Sequence, residues 1–240
     1  MLNDADHDLL RRDTALPALR TLLEEDAFLA RLQSVNPTRH LTSARLRYLR
    51  YKPGTSCLAS YLVRNEDREY HVSGKAWLPG SHAKREKHQG TVLTADPNAF
   101  QGGAWPDQGL VIGVFPWDAK LGSLDHWATP DARHQFFAKR ESLRSLAEAP
   151  GWTILNYKPE RRLVARVERN SGDPVAVLKA HTPQGLTAAL AASRAVEAGQ
   201  RFDLPRLLGK STHHAAAVYA WQNGEGMDAL LGQALADSGK

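Results

Sequence analysis

The chain has 240 residues, of which 42% are hydrophobic and 24% charged, a composition typical of a soluble globular protein. No stretch reaches the ~18 consecutive apolar residues that a membrane-spanning helix needs, and the N-terminal segment is acidic where a secretory signal would be basic. These features predict a cytoplasmic protein without a membrane partner, and the net charge of +5 mildly favours anionic ligands.

The first half of the chain predicts helices around a set of antiparallel strands. Leucines recur at helical spacing over residues 14–33, with Thr14 as the N-cap. Alternation over residues 44–61, interrupted by Pro53 and Gly54, predicts a β-hairpin. Further elements are predicted in this order: a strand at 70–78, a short basic helix at 80–93, a strand at 110–115, and a helix from its cap Thr129 to Pro150.

The second half predicts a similar series of elements. Strands are expected at 153–156, 163–169 and 175–180, followed by an alanine-rich helix at 185–200. The segment 202–210 leads into a strand at 215–221, and a terminal helix covers 223–235. Because these strands pair as hairpins, the sequence favours an antiparallel α+β fold over a doubly wound parallel sheet.

One tyrosine-lysine-proline stretch occurs twice. Tyr51-Lys52-Pro53 stands in "RLRYLRYKPGTSCLASYLV", and Tyr157-Lys158-Pro159 stands in "GWTILNYKPERRLVARV". A second pair of motifs follows in the same order, "KAWLPG" from Lys75 and "KAHTPQG" from Lys179, at separations of 75 − 52 = 23 and 179 − 158 = 21 residues. Two motifs in one order at nearly one spacing predict an internal duplication. The alternative is two unrelated hairpins with similar turns.

The repeat predicts three regions in the chain. Residues 1–40 form an N-terminal helical segment, residues 41–150 a first α+β unit, and residues 151–240 a second α+β unit. Each unit is expected to consist of an antiparallel sheet with packed helices. The single cysteine, Cys57, is predicted to be a buried strand residue, and no zinc-binding spacing is present.

The second unit contains residue types that can hold a nucleotide. A hairpin bend at Glu160, Arg161 and Arg162 offers backbone N–H groups and two guanidinium groups to phosphates. Lys179, at the end of a strand, can pair with the phosphates, and Glu197 on the following helix can orient that lysine. Each residue also has an ordinary interpretation, since lysines at strand ends and glutamates on alanine-rich helices often serve only as solvated charges.

From Trp152 onward the sequence resembles the N-terminal lobe of the aminoglycoside phosphotransferase-like family, which has the protein-kinase-like fold. "VAVLKA" resembles the family's lysine strand, "FDLPRLLG" its proline-preceded fourth strand, and "AVYAWQNGEGMDALL" its hinge. The resemblance implies ATP with Mg²⁺ as ligand, and backbone at Trp221 and Gln222 facing the adenine. "FPWD" at 115–118 resembles a segment of larger members, which would make the first unit a degenerate copy.

One departure from the family limits the expected activity. Phosphoryl transfer in the family needs a His-x-Asp catalytic loop in a C-terminal lobe, and none of the ten histidines is followed two positions later by aspartate. The expectation is therefore an ATP-binding lobe without catalytic residues in these 240 residues, either cut short or completed by a separate catalytic lobe. A non-catalytic binding or scaffold module with a protein partner is the alternative. Nucleic-acid binding by the basic and tyrosine-rich "RLRYLRYK" is a weaker one.

Overall fold

The computed structural model describes residues 2–80, 100–149, 151–199 and 204–224. The α-helices in these ranges are α1 (Asp4–Arg12), α2 (Leu19–Leu23), α3 (Glu25–Gln33), α4 (Asp125–Ala128), α5 (Pro130–Ala138) and α6 (Pro183–Gly199). The strands are β1 (Leu41–Lys52), β2 (Ser56–Asn65), β3 (Glu69–Trp77), β4 (Gly103–Trp105), β5 (Leu110–Val114), β6 (Gly151–Lys158), β7 (Arg162–Glu168), β8 (Pro174–His181), β9 (Leu207–Ser211) and β10 (Ala216–Ala220).

The strands form two five-stranded antiparallel sheets with the same topology. The first sheet has the order β1-β2-β3-β5-β4 and the second the order β6-β7-β8-β10-β9. In both, a three-residue bend joins the first two strands, and the lysine of the repeated motif lies on the third. The predicted α+β class with two antiparallel sheet units is therefore confirmed.

The first sheet packs its apolar face against helices α2 and α3. Phe28 and Tyr61 stack with ring centroids 3.8 Å apart, and the Tyr61 hydroxyl donates a hydrogen bond of 2.9 Å to the Leu22 carbonyl. Gly74 of β3 permits this close approach, because a Cβ atom there would lie 2.5 Å from the Leu22 side chain. The N-terminal helices and the first sheet thus share one hydrophobic core.

The second sheet packs in the same way against the helices that precede it. Trp127 of α4 and Phe136 of α5 are buried against the sheet residues Leu163, Ala165 and Leu178. Each sheet is therefore covered on one face by the helical segment immediately before it in the chain.

Two of the predicted helices are interrupted. The helix expected over residues 14–33 is divided by Glu24, whose backbone is extended (φ −100°, ψ 117°). The division turns both pieces onto the sheet, so that Leu22 and Phe28 are fully buried. Thr129 caps α5 as predicted, accepting a 3.2 Å bond from the Ala132 N–H, but the α-helix ends at residue 138 and a 3₁₀ turn over Glu141–Leu146 follows.

Two further predicted helices, at 80–93 and 223–235, lie almost wholly outside the described residues. Among the residues that are described, none of the helices is long and apolar enough to cross a lipid bilayer.

The face of each sheet opposite its helical layer carries the lysine, and we call it the lysine face. The first lysine face is formed by Leu58, Ser60, Ser73, Lys75 and Val111. The second lysine face is formed by Val164, Arg166, Val177, Lys179, His181, Ala217 and Tyr219. These residues alternate along their strands with the core residues, as the two-residue period of a β-strand requires.

The two units contact each other because the bend between β6 and β7 lies on the first lysine face. The carboxylate of Glu160 at this bend forms ion pairs with Arg50 of β1 and Lys75 of β3. Nearby, the Lys158 Nζ lies 5.5 Å from the centroid of the Tyr48 ring. The lysine face of the first unit is therefore covered by the hairpin of the second.

Candidate functional site

Lys179 lies near the end of β8 with its side chain half-buried on the second lysine face. Its Nζ is 4.8 Å from the centroid of the Tyr219 ring, and among the described residues no carboxylate lies within 4.0 Å of it. Burial lowers the pKa of Lys179, and the nearby charge of Arg162 lowers it further. A partly desolvated ammonium without a counter-charge among the described residues favours an anionic ligand, because the ligand supplies the missing charge.

The two arginines of the bend add positive charge at the same end of the sheet. The Arg161 N–H donates a 3.1 Å hydrogen bond to the Lys158 carbonyl, which closes the bend. Arg162 begins β7 directly opposite His181 in the strand register. Both arginine side chains are exposed, and neither forms an ion pair within the described part of the chain. They are therefore available to an anion approaching Lys179.

His181 belongs to this site although the sequence reasoning did not identify it. It lies two residues after Lys179 and so on the same lysine face, and its buried Nε2 has no hydrogen-bond partner among the described residues. Burial lowers the pKa of His181, as do the charges of Lys179 and Arg162, which favours the neutral imidazole. The alternation in "KAH" could have predicted this position.

The N-terminus of α6 follows His181 directly. The Thr182 hydroxyl accepts a hydrogen bond of 3.1 Å from the Gly185 N–H and so caps this helix of 17 residues. The positive end of the helix dipole therefore lies beside the cationic end of the sheet. Leu186 and Leu190 of α6 pack on Ala217 and Tyr219, which fixes the helix on the second lysine face.

Trp221 and Gln222 follow β10 and lie farther along the sheet. The Trp221 N–H donates a 3.2 Å bond to the Val175 carbonyl, so pairing with β8 continues one residue past the strand. Ala217 pairs with Lys179, and Trp221 is four residues later, which places it about 14 Å from the lysine along the strand at ~3.4 Å per residue. The Trp221 side chain is half-buried and that of Gln222 is exposed.

Glu160 lies in the other unit's lysine face. Its side chain is 3% exposed, and its carboxylate pairs with Lys75, with Arg50 at 2.9 Å and with Lys120 at 3.5 Å. Burial raises the pKa of Glu160, but the hydrogen bond and charge of Lys75, with the charges of Lys120 and Arg50, outweigh it and hold the pKa below its ordinary value. The structure therefore brings Glu160 to Lys75.

Glu197 lies in the C-terminal half of α6, on the helix that follows the lysine strand. Its side chain is outside the described residues, and its pairing with Lys179 stays a prediction.

An aspartate outside the sheet fixes each hairpin bend. In the first unit, the Asp13 Oδ2 accepts hydrogen bonds from the Tyr51 hydroxyl (2.7 Å) and the Gly54 N–H (2.9 Å). The hydrogen bond from Tyr51 is the main cause of a lowered pKa of Asp13, against a smaller opposite effect of burial. The aspartate thus ties the segment before α2 to the tip of the hairpin.

The second unit repeats this arrangement. The Asp118 Oδ2 accepts hydrogen bonds from the Tyr157 hydroxyl (2.8 Å) and the Glu160 N–H (2.9 Å). Gly54 and Glu160 occupy the same position of the bend, with φ of +57° and +59°. The correspondence extends beyond strand order to individual hydrogen bonds, as an internal duplication predicts. Sequence reasoning noted Asp118 within "FPWD" without assigning this contact.

The described residues add neither a reactive thiol nor a metal cluster to this site. Cys57 is buried in β2, and burial raises its pKa to about 12, so the thiol stays protonated. No group of three or more His, Cys, Asp or Glu residues that could hold a metal ion occurs in the described ranges.

Comparison with known proteins gave no match: no family model, no curated protein and no solved structure matches the chain.

Proposed function

We propose that the chain contributes the ATP-binding lobe of a phosphotransferase of the aminoglycoside phosphotransferase-like class, with the nucleotide on the second lysine face. The observation that carries this proposal is the absence of a carboxylate near Lys179 within the described residues, whereas Lys75 at the same position of the first unit has one. In kinases, a lysine on the third strand holds the α- and β-phosphates, and a helix follows that strand. Lys179 and α6 have this order.

The groups around Lys179 suit a phosphate chain. The ammonium and the Arg162 guanidinium provide two positive charges. The Nε2 of His181, which has no hydrogen-bond partner in the described part of the chain, can serve as a hydrogen-bond donor. The capped N-terminus of α6 adds its dipole. Charge-assisted hydrogen bonds of this kind are roughly twice as strong as neutral ones, so the three side chains together favour a multiply charged anion.

The aromatic residue that follows β10 suits a base. Trp221 lies on the same side of the sheet as Lys179, and Arg166 lies 6.0 Å from the centroid of its ring. Aromatic rings and guanidinium planes stack on nucleobases with little dependence on the base. We therefore assign the phosphates to the Lys179 end and the adenine to the Trp221 end, with Gln222 beside it.

The described residues do not provide a Mg²⁺ site. The only carboxylate of the β6–β7 bend, that of Glu160, is held by the cations of the first unit. The Mg²⁺ of this proposal is carried by the phosphate oxygens of ATP. The chain binds the nucleotide, and phosphoryl transfer would require a catalytic loop that these 240 residues do not contain.

The test is isothermal titration calorimetry with Mg-ATP as the titrant. Wild-type protein should bind ATP, and Lys179→Met should weaken binding at least tenfold, since a charge-assisted hydrogen bond contributes about 1.5–3 kcal/mol. Lys139→Met, which removes the same charge from the exposed end of α5, should bind like the wild type. No binding at millimolar Mg-ATP, or equal affinities of Lys179→Met and wild type, would overturn the proposal.

A second candidate is a non-catalytic module whose second lysine face binds an acidic protein segment. The favouring observation is that the first lysine face already binds a glutamate at the tip of a hairpin. A cyclic peptide with one glutamate at the tip of a three-residue bend is a suitable probe. Binding of this peptide that is lost in Lys179→Met, together with no binding of Mg-ATP, would favour the module over the nucleotide lobe.

A further inference from the structure

Glu160 has a backbone conformation that glutamate residues rarely adopt. Its φ of +59° lies in the left-handed region, where glycine, asparagine and aspartate are the usual residues. The equivalent residue of the first unit is glycine, and a Cβ atom on Gly54 would meet nothing within 4 Å. At the first bend, glycine is therefore required only for its left-handed backbone conformation and not for lack of space. The strain at Glu160 persists because interactions of its side chain compensate for it.

Those interactions are with an anion site built by the first unit. Arg50 and Lys75 project from β1 and β3 of the first sheet, and Lys120 adds a third cation from the segment between the units. The side chains of Arg50 and Lys75 are 25% and 17% exposed, so both are partly desolvated. Three cations around one carboxylate are more than its charge requires.

The carboxylate leaves almost no room beside it. The remaining space between Lys75, Trp117, Asp118 and Glu160 is about 10 Å³, at the lower limit for one water molecule and too small for a phosphate group. Among the described residues, Asp118 is the second acidic group that faces this cluster, and its Oδ2 accepts hydrogen bonds from the Tyr157 hydroxyl and the Glu160 N–H. Removal of the Glu160 side chain would leave three cations against one carboxylate.

We propose that the first lysine face is a binding site for phosphate-class oxyanions whose tethered ligand is the Glu160 carboxylate. The first unit binds the hairpin of the second as its ligand, and a free oxyanion takes the site only when that side chain is absent. The charge of the cluster, its placement on β1 and β3 on either side of β2, the additional Lys120, and the strained backbone that delivers the carboxylate all support this assignment. The inference does not depend on nucleotide binding at Lys179.

The experiment compares two proteins, the Lys179→Met variant and the Lys179→Met variant that also carries Glu160→Gly. Lys179→Met removes the second cationic site from both. Glycine suits the left-handed backbone, so this variant removes the carboxylate without adding strain. Thermal unfolding is followed at 0 to 10 mM sodium phosphate, with sodium chloride at matched ionic strength as the reference. We expect phosphate to raise the Tm of Glu160→Gly saturably, by several degrees beyond chloride, and to leave the protein that retains Glu160 unchanged.

Two further samples assign the effect to the cluster. Addition of Lys75→Met to Glu160→Gly should abolish the phosphate response. If Glu160→Gly is unfolded without phosphate, circular dichroism should show that phosphate restores the fold and that chloride does not. Equal responses to phosphate and chloride, or a phosphate response that survives Lys75→Met, would overturn the proposal. A phosphate response of the protein that retains Glu160 would also overturn it.

Discussion

Lys75 and Lys179 stand at the same position of two sheets with the same strand order, and their surroundings differ. Lys75 is paired with a buried carboxylate from the other unit, while Lys179 lies between a tyrosine ring and an arginine charge, without a carboxylate within 4.0 Å among the described residues. Strand topology determines where a lysine projects, but the neighbouring segment determines whether the lysine is paired with a carboxylate. Two equivalent positions in a repeat therefore have different charge surroundings.

The largest expected difference between the two faces is in folding stability. Lys75→Met should lower the free energy of unfolding by about 3 kcal/mol, because it leaves the buried Glu160 carboxylate with weaker compensation. Lys179→Met should change it by less than about 0.5 kcal/mol, since no described ion pair is lost. Urea denaturation followed by circular dichroism measures both values. Equal losses in the two variants would contradict the difference between the faces.

The two aspartate contacts provide the next comparison. Tyr157 is buried, with 5% of its surface exposed, and Tyr51 is only half-buried, yet each donates a hydrogen bond to an aspartate. Tyr157→Phe should cost about 2 kcal/mol, and Tyr51→Phe less than about 1 kcal/mol, because water can solvate Asp13 once the hydroxyl is gone. The same denaturation measurement applies, and a larger loss for Tyr51→Phe would reverse the expected order.

The third comparison uses pH. The pKa of Glu160 in the folded protein lies below the ordinary value of 4.5, so below pH 4.5 the unfolded chain binds the additional proton. The stability from Glu160 is therefore complete above pH 4.5 and is lost as the pH falls through the folded-state pKa. In this window Glu160→Gln should reduce the slope of unfolding free energy against pH by up to about 1.4 kcal/mol per pH unit.

The control for this pH series is Glu148→Gln, because the Glu148 side chain is 90% exposed. Below pH 4.5, its free energy of unfolding should change with pH as that of the wild type does. An equally reduced slope in this control would contradict the assignment to Glu160.

The smallest expected effect concerns the glycine of the first bend. Gly54→Ala should destabilise the protein by about 1 kcal/mol, since the left-handed conformation is unfavourable for alanine although its methyl group has space. Gly54→Asn should be close to neutral. If Gly54→Ala is also neutral in urea denaturation, then the bend can relax, and the strain argument at Glu160 loses its support.

Local sequence patterns predict much of this fold. The alternation around Pro53 and Pro159 is enough to place both hairpins, and the repeated lysines fall on the third strand of each sheet as expected. The pairing of Glu160 with Lys75 spans 85 residues and depends on how the units dock, which no local pattern contains. The same holds for Asp118, which contacts a tyrosine 39 residues later.

The break at Glu24 shows a different limit of sequence reasoning. The leucines over residues 14–33 fit one continuous helix, and helix propensity alone gives no reason to interrupt it. Packing decides, because both Leu22 and Phe28 reach the same sheet only when the backbone turns between them. His181, in contrast, could have been found, since strand alternation places it beside Lys179.

The dependence of Lys75 on Glu160 also has a consequence for the order of synthesis. The last strand of the first sheet ends at Val114, and 160 − 114 = 46 further residues must be made before the glutamate exists. Domains generally fold N-terminal first at the ribosome. A nascent first unit therefore presents Arg50 and Lys75 without their carboxylate until the second hairpin has been made.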